Sequence, residues 1–279
     1  MFDTRKAKEP LAVLLLWIIL FAAFGGIASA AFAVAFLWVP EERSARILPH
    51  FVSFATGALL GAALLGLLPE AMEGAGPSGA HGIGLVLVVG LGVFFVIEKL
   101  VLWWHAHAQD EEQGAPQQTD AHHGHDHGRD HASGVLVLVG DSIHNALDGV
   151  LIAAAFLSDM SLGLVTTFAV AAHEIPHRVG DFALLVHAGL SRRRAVLLNL
   201  ATGIASVIGA IAAYFGLRQA NGILPFALAF AAAGFLYIAV AGLIPGLHRR
   251  SDPRTSAAQV LLISLGITVI ALAERLTHR

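Results

Sequence analysis

The chain has 279 residues, of which 56% are hydrophobic and only 13% charged, against roughly 25% charged in ordinary soluble domains. That balance marks a polytopic membrane protein rather than a soluble domain. A formal net charge of -3 without a long basic run offers nothing to nucleic acid, and the absence of cysteine removes disulfides and thiolate ligands, so any metal must be held by imidazole, carboxylate, amide or water.

Taking about 20 apolar residues per crossing, the chain divides into eight spans: 11–38, 51–70, 82–104, 134–157, 161–187, 194–217, 224–246 and 256–274. The fold class expected is an all-α membrane bundle in three segments: 1–104 with spans one to three, 105–133 as a His-rich loop expected to be disordered, and 134–279 with spans four to eight. Arg5, Lys6 and Lys8 before an apolar run that passes Ala28-Ser29-Ala30 have the look of a cleavable signal. The apolar region continues to Val39, well beyond the ~7 to 15 residues of a signal core, so a retained helix is expected.

Loop charge sets the orientation. One side carries Arg5, Lys6, Lys8, Arg218, Arg275 and Arg279; the other carries Arg43, Arg46, Lys99, Arg129, Arg192, Arg193, Arg194, Arg249, Arg250 and Arg254. The richer set should be cytoplasmic, which puts both termini outside the cell membrane and the His-rich loop inside, with Trp38, Trp103 and Trp104 at the inner interface. In span two, Gly57 and Gly61 stand at GxxxG spacing, a weak signal for close helix approach, and Glu70 and Glu73 lie near the outer mouth.

Fifteen histidines are the anomaly of the composition. His122, His123, His125, His127 and His131, with His105 and His107 before them, are interleaved with acids in the loop, a pattern suited to capturing metal in an otherwise solvated segment. Span four carries DSIHNALDG, in which Asp141, His144, Asn145 and Asp148 fall on one helical stripe at i, i+3, i+4, i+7. Span five carries HEIPHRVGD, where His173, His177 and Asp181 follow at i, i+4, i+8 with Glu174 one position round.

One intramembrane histidine is explained by a hydrogen bond between helices. Two facing stripes of possible ligands at the same depth call for internal neutralisation or a positive guest. Asp141, Asp181 and His187 lie to the cytoplasmic side of the centre as an exit path. Pro176 should free a carbonyl beside the site. Arg178, four residues after Glu174, either pairs with it or snorkels toward the cytoplasm.

HEIPH also satisfies the HExxH pattern of zinc proteases, and LDG at 147–149 adds to a likeness with intramembrane metalloproteases of the site-two type. Against that reading, LDG precedes HEIPH instead of following it, and Pro176 stands where that group has a small residue.

The paired motifs HNALDGVLIAAAF (144–156) and HEIPHRVGDFALL (173–185), with FFVIEK (94–99) and GFLYIAV (234–240), resemble the ZIP (Zrt/Irt-like) family of divalent metal transporters, in particular its zinc subfamily with HExPHE in the fifth helix. The resemblance implies an eight-helix 3+2+3 bundle with inverted repeats. It also implies a primary metal site at His144, Asp148, His173 and His177, an adjoining second site drawing on Asn145 and Glu174, and movement of Zn2+, or iron, manganese or cadmium, toward the cytoplasm. The metal is the substrate and no organic cofactor is implied.

Several positions depart from the family pattern. Arg178 replaces a glutamate, Ala62 and Gly66 replace an aspartate and a histidine, Gly242 and Gly246 stand where acids are common, and Ser206 stands where some bacterial relatives have a glutamate. The primary site survives while the accessory route is stripped, and one metal is expected at the centre. The expected partners are divalent metal ions and the bilayer, and a homodimer is compatible with the reading. An intramembrane metalloprotease and a non-transporting metal sensor are the alternatives.

Overall fold

The computed structural model describes residues 11–36, 39–110, 127–187, 189–220, 222–248 and 252–277; the side chains of 41, 101–110, 127–137, 187 and 277 fall outside the description. The expected loop ligands His122, His123 and His125 therefore lie outside the described residues. His127 and His131 lie in helical backbone without described side chains, as does His187. Of the interfacial tryptophans, Trp38 lies outside and Trp103 and Trp104 have no described side chain.

Among the described residues there is no strand, and the helices join into eight continuous rods. These are α1 (Leu11–Phe36), α2 (Glu41–Gly61 running on through Ala62–Leu67 and Leu68–Ala75), α3 (Ala80–Asp110), α4 (His127–Ser158), α5 (Met160–His187), α6 (Arg192–Gln219), α7 (Leu224–His248) and α8 (Pro253–Thr277). Several extend past the apolar segments expected from the sequence.

Six of the rods are long and apolar enough to cross a membrane on those criteria alone. The two that are not, α4 and α5, fall short of the eight-span expectation for a physical reason. They carry Asp141 and Asp148, and Glu174, Arg178 and Asp181, along their length, which lowers their hydropathy.

The packing has an internal symmetry. α2 packs along α8 as α7 packs along α3, α1 along α5 as α6 along α4, and α2 on α5 as α7 on α4. Exchanging the first three rods for the last three, and α4 for α5, maps this pattern onto itself. The chain signature agrees: Gly66-Leu-Leu-Pro69 in α2 answers Gly242-Leu-Ile-Pro245 in α7. Each stretch straddles the end of a π-helical segment, with Leu68 N bonded to Ala63 O in one and Ile244 N to Ala239 O in the other. Proline has no N–H to continue the α ladder, and the wider turn just upstream accommodates the break.

Glycine decides how closely the rods meet. A Cβ at Gly149 of α4 would lie 1.8 Å from the Ser206 carbonyl oxygen of α6, and one at Gly209 of α6 would lie 2.0 Å from the Ala146 oxygen of α4. The two backbones are thus in direct contact. The GxxxG signal in α2 is realised in the same way, with Gly57 against the Ile263 backbone and Gly61 against the Ile270 side chain of α8.

The turn between α4 and α5 contains Asp159 alone. Asp159 Oδ1 accepts the Ser161 N–H at 2.9 Å, fastening the corner. Gly189, with φ of 82°, ends α5 in the left-handed region that a Cβ disfavours.

Gly149→Val should push α4 off α6 and lower stability by about 1–3 kcal/mol or more. Gly92→Ala, whose Cβ would meet nothing within 4 Å, should be close to neutral. Thermal unfolding in detergent measures both, and equal melting of the two variants would contradict the backbone contact.

Candidate metal centre

His144 of α4 and His173 of α5 stand at nearly equal distances from the Asp159 corner, so both reach the same depth of the bundle. Their rings meet edge to face, 5.5 Å between centroids. His173 Nδ1 lies 3.2 Å from the Ala169 carbonyl oxygen. A carbonyl only accepts, so Nδ1 carries the proton and Nε2 presents a lone pair. That Nε2 is 3.3 Å from His144 Nε2 and 3.5 Å from Asp148 Oδ2. Glu174 Oε1 completes the group at 3.5 Å from His144 Nε2 and 3.9 Å from His173 Nε2, and Asp148 Oδ2 is 3.8 Å from His144 Nε2.

Three of these separations, 3.3, 3.5 and 3.5 Å, match the edges of a tetrahedral cation site, and the other two, 3.8 and 3.9 Å, are a few tenths of an ångström longer. Bonds of about 2.0–2.2 Å give ligand-to-ligand edges of about 3.3–3.6 Å, and the four donor atoms here all lie within 4.8 Å of one another. Asp148 Oδ2 and Glu174 Oε1 are buried with no hydrogen-bond partner, an arrangement that a cation between the imidazoles would satisfy. Asp148, His173 and Glu174 are each at most 1% exposed. His144 is the member that reaches open space, with its side chain 22% exposed.

His177 lies in an adjoining group. Its Nδ1 is 2.9 Å from Asp181 Oδ2 and 3.8 Å from Asp141 Oδ1, its side chain is 44% exposed, and its ring stacks on that of His144 at 5.2 Å. Asp141, Glu174 and His177 form a second set of potential ligands, with Glu174 common to both. The resemblance had grouped His177 with the first three residues and Glu174 with Asn145; the structure brings Glu174 into the buried quartet and sets His177 beside it.

A cavity of about 470 Å3 runs from His144 past His177, Asp141 and Asp181. Its ligand wall belongs to α4 and α5. The facing wall is apolar, with Phe94 and Ile97 from α3 and Ile238 and Leu243 from α7, apart from Glu98, whose Oε2 accepts a hydrogen bond from the Tyr237 hydroxyl. On the buried side of the site Phe235 stands edge-on to His173, at 6.4 Å between centroids.

Arg178 does not snorkel. It is fully buried, and its Nε lies 2.8 Å from Glu174 Oε2. Asn145 turns its side-chain oxygen to this guanidinium and donates from its nitrogen to Asp141 Oδ1 at 2.9 Å, so it faces away from the quartet. The residues not singled out from the sequence are Asn199 and Thr202 of α6, which hold Arg178, and Glu98 and Tyr237 on the far cavity wall. The signal available for them was a polar residue inside an apolar run.

An all-helical bundle with six rods apolar enough to cross a membrane, and with two imidazoles and two carboxylates gathered at its centre, has the architecture of a membrane protein equipped to hold a metal ion. Residues 11–274 match the family model described as ZIP Zinc transporter. The chain is 36% identical over 245 residues to zinc transporter ZIP13 of Pongo abelii, covering 83% of this chain and 68% of that protein. It is 32% identical over 348 residues to zinc transporter SLC39A7 of Rattus norvegicus, covering 96% and 74%, and 33% identical to human ZIP13, covering 83% and 72%. The chain belongs to the ZIP family; it is a multi-pass metal transporter, in a family of transporters and not of enzymes.

Zinc at 100 times its dissociation constant should stabilise the detergent-solubilised protein by about 2.7 kcal/mol. We expect this shift to vanish in His173→Ala and Asp148→Ala and to persist in His177→Ala. Full retention in the first two would remove the quartet as the binding site.

Proposed function

We propose that this protein imports a divalent transition metal, zinc foremost, toward the cytoplasm through a single site at mid-depth between α4 and α5, with all eight rods spanning the membrane. The observation that carries this reading is the quartet of His144, Asp148, His173 and Glu174 at tetrahedral spacing, with one imidazole tautomer set by the Ala169 carbonyl. Mixed nitrogen and oxygen donors suit zinc or iron(II), manganese and cadmium being less favoured, and suit magnesium or calcium poorly. The relatives named above are zinc transporters, which agrees.

Two features that point the same way support this direction. The cavity leaves the site along Asp141, His177 and Asp181, toward the end of the bundle where α3 and α4 approach the His-rich segment and where loop arginines are concentrated. An ion released from the quartet meets His177 and its carboxylates first. The site must dehydrate the ion yet let it go, and graded exposure, from buried Asp148 to half-open His177, serves both needs.

Glu174 speaks against hydrolysis at this HExxH. One of its oxygens joins the imidazoles and the other is paired with Arg178, leaving neither free to activate a water as general base.

The test is uptake of radioactive zinc by proteoliposomes containing the purified chain. Saturable accumulation is expected, and His144→Ala and His177→Ala should each reduce it at least tenfold while still inserting. Tight binding without accumulation would favour a sensor, and wild-type kinetics in both variants would overturn the site. Removing residues 109–131 should leave uptake present while weakening metal capture at the cytoplasmic mouth; complete loss in a well-folded deletion would instead make the loop part of the conduction path.

A further inference from the structure

Arg178 heads the fully buried side chains by volume, and it sits inside the ligand region. Acceptors surround its guanidinium. Nε meets Glu174 Oε2 at 2.8 Å, while Nη1 donates to the Asn199 carbonyl oxygen at 2.6 Å and to Asn199 Oδ1 and Thr202 Oγ1 at 3.0 Å. Nη2 donates to Asn145 Oδ1, and Nη1 lies 3.8 Å from Asp141 Oδ2. Asn199 answers with its amide nitrogen on the Arg178 carbonyl at 3.2 Å, so the guanidinium is locked to α6 as well as to α4.

The place it occupies matters more than the locking. Asp141, Glu174 and His177 would make a second cation site beside the quartet. Both carboxylates of that set face the guanidinium, and the amide oxygen of Asn145 accepts a hydrogen bond from it. A second divalent ion would have to drive a tethered, permanently charged group out of a buried fork of acceptors.

We propose that Arg178 is a built-in cation standing in the place of a second divalent ion, which limits the centre to one metal and holds Glu174 with Oε1 toward the imidazoles. Arg178 is thus a positioning and stoichiometry-determining residue that touches no transported ion. The proposal rests on the quartet being the transport site.

Anomalous diffraction from the full chain grown with cadmium should show one ion between α4 and α5 in the wild type; two well-occupied adjacent ions there would overturn the proposal whatever the variants do. Cadmium titrations of full-length wild type, Arg178→Met, Arg178→Ala and Arg178→Lys then give differences in which ions held by the His-rich loop cancel. Met and Ala should each bind one more ion than wild type, at least tenfold more weakly than the first, and Lys should bind none extra. Millimolar guanidinium should return the Ala variant to the wild-type count, a response that lost packing alone would not produce. An unchanged count in both Met and Ala, with the wild-type ion in place, would sink the proposal and leave the transport site standing. No ion between α4 and α5 in the wild type would sink the transport site itself.

Discussion

Charge that cannot face lipid organises this bundle. A single ionised residue at mid-bilayer costs about 2.5–3.5 kcal/mol even on the lenient insertion scales, and α4 and α5 together carry five ionisable residues, Asp141, Asp148, Glu174, Arg178 and Asp181, that an apolar surface would not tolerate. No rotation of either helix alone hides them. They must face one another, and the remaining rods must surround them with apolar surface. The six helices that qualify as membrane spans by composition do so, and their outward side chains, such as Leu85, Val88 and Leu261, are exposed as a lipid-facing surface requires.

Within that constraint, Arg178 does two things at once. A buried ion pair is weak evidence for stability, since desolvation offsets most of the attraction, yet removing one partner commonly costs about 3–5 kcal/mol because the other is stranded. The Glu174–Arg178 pair therefore acts less as glue than as a registration device. Its remaining donors reach Asn145 on α4 and Asn199 and Thr202 on α6, so the relative rotation of three helices is fixed by one planar group. The carboxylate it holds is the one shared between the buried quartet and the more open group around His177.

Much of this was legible in the residues. The apolar runs announce the helices, and the stripes on spans four and five announce the centre, because helical periodicity turns spacing into a shared face. The finer grouping was not legible. His173, Glu174 and His177 all lie close enough on one helix to serve together, and which pair joins the α4 donors depends on the depth at which α4 crosses, a property of the corner at Asp159 and of packing against α6. The direction of Arg178 was equally hidden, since its acceptors Asn199 and Thr202 sit far along the chain among residues with no pattern of their own. By composition α4 and α5 fall short of a membrane span for the very reason they matter, their charge. The far wall of the cavity, with Glu98 bonded to Tyr237, depends on α3 meeting α7, which no local signal announces.

The glycine contact between α4 and α6 has a bearing on dimensional tolerance. Gly149 follows Asp148 directly, so the face of α4 that rests on the Ser206 oxygen is one residue away from the face that presents a donor to the quartet. Two bare backbones in contact form a hard stop, as a machinist's shoulder does. The distance from that stop to the Asp148 Cα depends on helix geometry alone, and only the short aspartate side chain separates it from the carboxylate. Coordination bonds tolerate errors of a few tenths of an ångström, and a reference surface made of peptide atoms is one of the few that a protein can hold to that tolerance while its lipid surroundings fluctuate.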